Sequence, residues 1–127
     1  MTCVVDTSVL VDYLRGHQGA AELLERERAV TDLHASEIAR VEVLAGMRAV
    51  EEVNTRRVLS AFRWHVLDAE VAEIAGDLGR RWLPSHSGID AADLVVAATA
   101  IQLNGRLLTT NVRHFPMFAD LRRPYEG

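Results

Sequence analysis

The sequence contains no lysine; all 14 of its basic residues are arginine. That absence excludes a Walker A phosphate loop, Schiff-base chemistry and any phosphatase that depends on a lysine. A single cysteine, Cys3, excludes an internal disulfide and a cysteine-rich zinc site. Cys3 sits in an apolar run and reads as a core residue. The five histidines, at positions 17, 34, 65, 86 and 114, show no HExxH spacing, and each reads as an isolated surface or core residue. Long apolar runs are missing too: the most apolar stretch, Leu94 to Leu103, is interrupted by Thr99 and Gln102 and falls short of the roughly 20 residues that span a bilayer. No basic segment followed by a long apolar one opens the chain, so no secretory leader is expected and a cytoplasmic location is. Acidic residues outnumber basic ones, 18 to 14. A net charge of −4 and a pI near 5.7 argue against a general polyanion binder. They leave room for a local basic patch, or for an acidic site neutralised by a metal ion.

What is present suits one globular unit over residues 1–127, with 49% hydrophobic and 25% charged composition. No repeat, low-complexity tract or linker divides it. Thr2 to Asp6 is apolar and β-branched without polar alternation, the pattern of a strand buried on both faces. A short helix is predicted over Val9–Leu14, stopped at Gly16, and a second over Ala20–Arg28. A strand lies within Ala29–Ala35, and Ser36 caps a helix running to about Ala45. Glu51–Ala61 forms a more polar helix and Trp64–Leu67 a third strand. Asp68 caps a helix with one apolar stripe, Val71, Ile74, Ala75, Leu78 and Trp82. Asp90–Asn104 is the most apolar helix, Arg106–Thr110 a fourth strand, and Phe115–Pro124 a turn with a final edge strand. Strands alternating with helices, without hairpin signals, predict an α/β fold with a parallel sheet covered on both faces.

Ligands of such sheets bind at the carboxyl ends of the strands. Asp6 ends the first strand and Asn111 the fourth. Asp6 suits either a helix N-cap or a site. Glu42 lies mid-helix beside the apolar stripe, and Asp93 opens the most apolar helix with Asp90 one turn earlier. Each alone is compatible with a solvated or capping role. Jointly they are candidates for one cleft. Two carboxylates 4 Å apart repel by about 4 kcal/mol at an effective dielectric near 20, so a cluster of three must take up protons or a cation. Oxygen ligands with no nearby cysteine or histidine favour Mg²⁺ or Mn²⁺. Such an ion neutralises charge at phosphate and acidifies water, which points to phosphodiester hydrolysis.

The segments VVDTSVL (4–10), EVLAG (42–46), DLVVAATA (93–100) and LTTNVRHF (108–115) resemble, in order and spacing, the PIN-domain ribonucleases, and among them the VapC toxins of VapBC toxin–antitoxin pairs. The resemblance spans Val4 to Phe115. It implies a three-layer α/β/α PIN-like fold with a central parallel sheet of four to five strands and a Mg²⁺-dependent endoribonuclease activity that inhibits translation and growth. Carried over residue by residue, Asp6, Glu42 and Asp93 are the metal-binding acids. Asn111 stands where many PIN domains carry a fourth acid, and as a neutral ligand it leaves Asp90 as the acid one turn from Asp93 that would compensate. Ser8 and Thr110 become hydroxyls that orient carboxylates or water. Arg15 and Arg113, near the expected cleft, are candidates to hold RNA phosphates.

The same resemblance implies a VapB-like antitoxin as partner and a homodimer. Phe62 and Trp64 are candidates for such interfaces or for the core. Two other readings compete. A haloacid-dehalogenase-like phosphatase wants a second Asp where Ser8 stands, and a lysine. A noncatalytic PIN-like module that only binds RNA or protein is the remaining alternative.

Overall fold

The computed structural model describes residues 2–127. Four strands, β1 (Cys3–Val5), β2 (Leu33–Ser36), β3 (Arg63–His65) and β4 (Arg106–Leu108), form one sheet in the order β3-β2-β1-β4. All pairings are parallel, with Val5 opposite Leu108 and Cys3 opposite both Leu33 and Arg106. β1 is central and wholly buried, as its unbroken apolar run requires.

Strand alternation divides the core into two layers. Cys3, Val5, Ala35 and Leu108 face helices α1 (Thr7–Leu14), α2 (Gln18–Arg28) and α4 (Glu52–Leu59), packing on Val9, Leu10, Leu23, Leu24 and Leu59. Val4 and Leu107 face the other way, onto Val96, Ala97 and Ala100 of α6 (Ala91–Gln102). α5 (Ala69–Trp82) covers α6 through Val71 and Ala75, and α3 (Glu37–Ala45) bridges α1 and α6. The result is a three-layer α/β/α sandwich. α6 is apolar nearly all round, with every residue from Leu94 to Ala100 buried, which is how a helix clamped between a sheet and another helix reads. Each fully buried Val or Leu here contributes about 1.5–3 kcal/mol.

Helix starts follow side-chain chemistry. Ser36 accepts from the Ile38 N–H at 3.2 Å and Asp68 from the Val71 N–H at 2.9 Å. Just beyond α6, Asn104 takes a left-handed φ of 50° and turns the chain away. Gly105 then passes so close to Thr2 that a Cβ would sit 3.0 Å from the Thr2 carbonyl oxygen, and β4 begins at once.

Two expectations are corrected. No fifth strand forms from the tail, which runs as turns and bends beyond the short helix at Val112–His114. β3 lies at Arg63–His65, leaving Val66 and Leu67 exposed, because only the residues in register with His34–Ser36 find ladder partners. Phe62 is buried in the core, and Trp64 donates its indole N–H to the Leu59 carbonyl at 2.8 Å beneath the Arg40 guanidinium. Of the two roles open to Phe62 and Trp64, the core is the one they take.

Candidate active site

β1 and β4 end side by side, and Asp6 follows β1 immediately. Its N–H donates to the Leu108 carbonyl at 2.9 Å, and its carbonyl starts α1 by accepting from Val9 and Leu10. The side chain occupies the N-cap position without capping, and only 4% of the residue is exposed. Oδ2 instead accepts from two hydroxyls, Ser8 Oγ at 2.9 Å and Thr109 Oγ1 at 2.8 Å. Each hydroxyl is oriented by a peptide N–H: that of Thr110 reaches Ser8 Oγ at 3.1 Å, and that of Asn111 reaches Thr109 Oγ1 at 3.0 Å. A carboxylate oxygen can only accept, so in both contacts the hydroxyl supplies the proton to Asp6. Oδ1 accepts no hydrogen bond within the described residues, and it is not sealed from solvent either.

Thr109 thus takes the place expected of Thr110. The Thr110 side chain makes no hydrogen bond among the described residues; only its peptide N–H serves the site. Alternation decides it: from Leu108, which pairs with Val5, the next side chain points toward β1's end and the following one away.

Asp93 lies on the first turn of α6. Asp90 and Asp93 form a reciprocal capping box: Asp90 Oδ1 accepts from the Asp93 N–H at 2.8 Å, and Asp93 Oδ2 from the Asp90 N–H at 3.1 Å. Asp93 Oδ2 also lies 3.1 Å from His114 Nδ1. Burial, together with the Asp90 and Asp6 carboxylates, pushes the Asp93 carboxyl up to about 6, against the pull of the Asp90 N–H and His114. As in Asp6, one oxygen is held and the other accepts no hydrogen bond among the described residues. Asp90 spends its carboxylate on the helix end. His114, read from sequence as an isolated histidine, is a member of this group; the signal was its position three residues beyond Asn111, within the motif LTTNVRHF.

Glu42 does not join them directly. It is exposed on α3, its Oε1 accepts from the Thr7 hydroxyl at 2.7 Å, and it borders a separate cavity of about 510 Å³ with Arg15 and Arg48. Among the described residues, no three His, Cys, Asp or Glu side chains lie close enough to enclose an ion. Asn111 is exposed, and with Arg113 and His114 it lines a cavity of about 340 Å³. Arg15 and Arg113 therefore stand on two different flanks.

Fold and carboxylates together define the class: an α/β/α protein with acids at the carboxyl edge of a parallel sheet, each keeping one oxygen unengaged, an all-oxygen donor set of the kind a hard divalent cation takes. The chain belongs to the PIN domain family, which matches residues 3–121. It is 47% identical over 123 residues to Ribonuclease VapC19 of Mycobacterium tuberculosis, covering 96% of this chain and 98% of that one. Ribonuclease VapC10 of the same organism is 38% identical over 96% and 92% of the two chains. Among solved structures, a toxin–antitoxin complex from Klebsiella pneumoniae matches with a TM-score of 0.83 at 27% identity, covering 98% and 99%. VapBC2 from Rickettsia felis, solved bound to a DNA fragment from its promoter, matches at 0.82 over 95% and 96%; at 21% identity it speaks for the fold alone.

Proposed function

We propose that this chain is a divalent-cation-dependent endoribonuclease, the toxin of a VapBC-type pair, acting on RNA in the cytoplasm. The observation that carries the reading is the Asp6–Asp93 pair: each carboxylate has one oxygen held by the protein and one left over, in a chain similar to a ribonuclease over 96% of its residues. Asp6 and Asp93 are the residues that would hold Mg²⁺, with Mn²⁺ as a substitute, and Glu42 would add a third carboxylate from α3. When bound, such a cation acidifies water and neutralises charge on the scissile phosphate.

The chain's own residues prepare the site. Ser8 and Thr109 fix the Asp6 carboxylate so that its free oxygen keeps one direction. His114 and the Asp90 N–H do the same for Asp93. Asp90 shapes the helix end and adds negative charge beside Asp93; Asn111 offers a neutral amide at the cleft rim. Arg113 and Arg15 hold phosphates on the two flanks.

A VapB-like antitoxin and a second copy of the chain are the proposed partners. Val41, Val50 and Val53, 58–88% exposed around α3 and α4, supply apolar surface for such contacts. The test is RNA incubated with the purified chain in millimolar Mg²⁺ and in EDTA. Cleavage in Mg²⁺, none in EDTA and recovery on adding excess Mg²⁺ are expected. RNA that is bound yet uncut under both conditions would overturn the reading in favour of a noncatalytic module.

A further inference from the structure

We infer that Arg123, on the C-terminal tail, is a second RNA-phosphate contact, and that with Arg113 it lines the groove along which the strand leaves the carboxylate centre. This rests on the ribonuclease reading above. Arg123 Nη1 donates to the Thr110 carbonyl at 2.9 Å. The N–H of the same Thr110 reaches Ser8 Oγ, which holds Asp6. The peptide unit that accepts from the guanidinium carries the Asn111 N–H, which orients Thr109 Oγ1 toward Asp6, and the rest of the Arg123 donor fork stays open.

Two adjoining cavities meet here. One, of about 340 Å³, is lined by Thr110, Asn111, Val112, Arg113, His114 and Arg123. The other, of about 580 Å³, shares Val112, Arg113 and His114 and continues to Pro116 and the loop Ser85–Gly88. No acid lines either, although the chain carries a net charge of −4. Six other arginines, at 40, 48, 56, 63, 80 and 106, are ion-paired with carboxylates. Arg113 and Arg123 are among the eight that have no carboxylate partner among the described residues, and these two share one groove. Two unneutralised guanidiniums in an acid-free groove, reaching Asp93 through His114, fit a polymer that brings one phosphate to the acids and the next ones to the arginines. RNA is the occupant this proposal commits to, because the groove runs from the proposed cleavage site, and polyglutamate is the competitor that tests it.

The experiment measures the affinity of a labelled single-stranded RNA in EDTA between 50 and 200 mM salt, alongside cleavage in Mg²⁺. Each phosphate contact contributes about 0.7 to the slope of log K against log salt for a single strand. Arg123→Gln, whose amide still donates to the Thr110 carbonyl, should lower that slope by about 0.7. Its affinity deficit relative to wild type should then narrow about 2–3-fold across the salt range. Arg123→Lys, which keeps the charge, should retain the wild-type slope. A wild-type slope in Arg123→Gln, or equal losses in Gln and Lys, would overturn the contact and leave Arg123 as a brace for Thr110. Polyglutamate competing as well as RNA of equal charge would also overturn it, in favour of an acidic polypeptide. A methylphosphonate scan on the wild-type protein needs no variant: a neutral linkage near the cut should lower the slope by about 0.7, and no such position would sink the groove. Cleavage reports separately: a chain that cuts RNA with an unchanged Arg123→Gln slope fails only the groove, and one showing the slope change without cutting fails only the ribonuclease reading.

Discussion

Asp6 and Glu42 stand on neighbouring elements, yet the protein treats them in opposite ways. Asp6 is buried, and four hydrogen bonds converge on it through two hydroxyls and two peptide N–H groups. Glu42 is exposed and held by one hydroxyl on the residue after Asp6. The contrast separates a carboxylate whose direction is built into the sheet from one that stays free to adapt. A buried polar network is costly when any member is lost, whereas an exposed contact contributes little.

The largest expected break in this comparison is Asp6→Ala, which should reduce RNA cleavage by at least about 10³-fold, or roughly 4 kcal/mol of transition-state stabilisation. Glu42→Ala should lose less, because its position is not pre-set; turnover of the two purified variants under identical Mg²⁺ decides this. Equal losses would mean that Glu42 matters to the reaction as much as Asp6 does, whatever its freedom in the unbound chain.

Next in size is the pH dependence of stability. The folded Asp93 carboxyl titrates near 6 against an ordinary value of 3.8, so between those values the folded chain holds more of the proton than the unfolded one. Asp93 therefore lowers stability as pH rises from about 4 to about 6, and adds no further change above that. In EDTA, urea midpoints for wild type should fall relative to Asp93→Asn across this window. Parallel curves would show that the carboxyl is not perturbed.

Smallest is the hydroxyl comparison. Thr109→Val leaves the Asn111 N–H without its acceptor and should cost about 1–3 kcal/mol in thermal or urea unfolding. Thr7→Val, on the Glu42 side, should stay within about 0.5 kcal/mol. Reversal of that order would mean that the rigid half of the site lies on α3.

The sequence made the sheet direction and the two-layer core readable, because Val4–Val5 shows no alternation and the later helices carry clear stripes and caps. The acids at 6, 90, 93 and 42 were also visible as residues out of keeping with their surroundings. Their relations were not. Choosing Thr109 over Thr110 needs the parity set by pairing Val5 with Leu108, a long-range fact. His114 and Arg123 act across folded distances, on Asp93 and on the Thr110 carbonyl, with no local pattern to mark them. The expected final strand failed for a related reason: local propensity does not make a strand without a partner in register.

The step from Leu108 through Thr109 to Thr110 has an evolutionary consequence. Substitutions in this stretch change one contact at a time, and a Ser at 109 would still present a hydroxyl. Loss or gain of a single residue between Arg106 and Asn111 would instead exchange the inward and outward side chains beyond it, turning the hydroxyl and both peptide N–H groups away from Asp6 together. This corner is therefore expected to tolerate a change of residue better than a change of length, which single-residue insertions and substitutions compared by thermal unfolding would check.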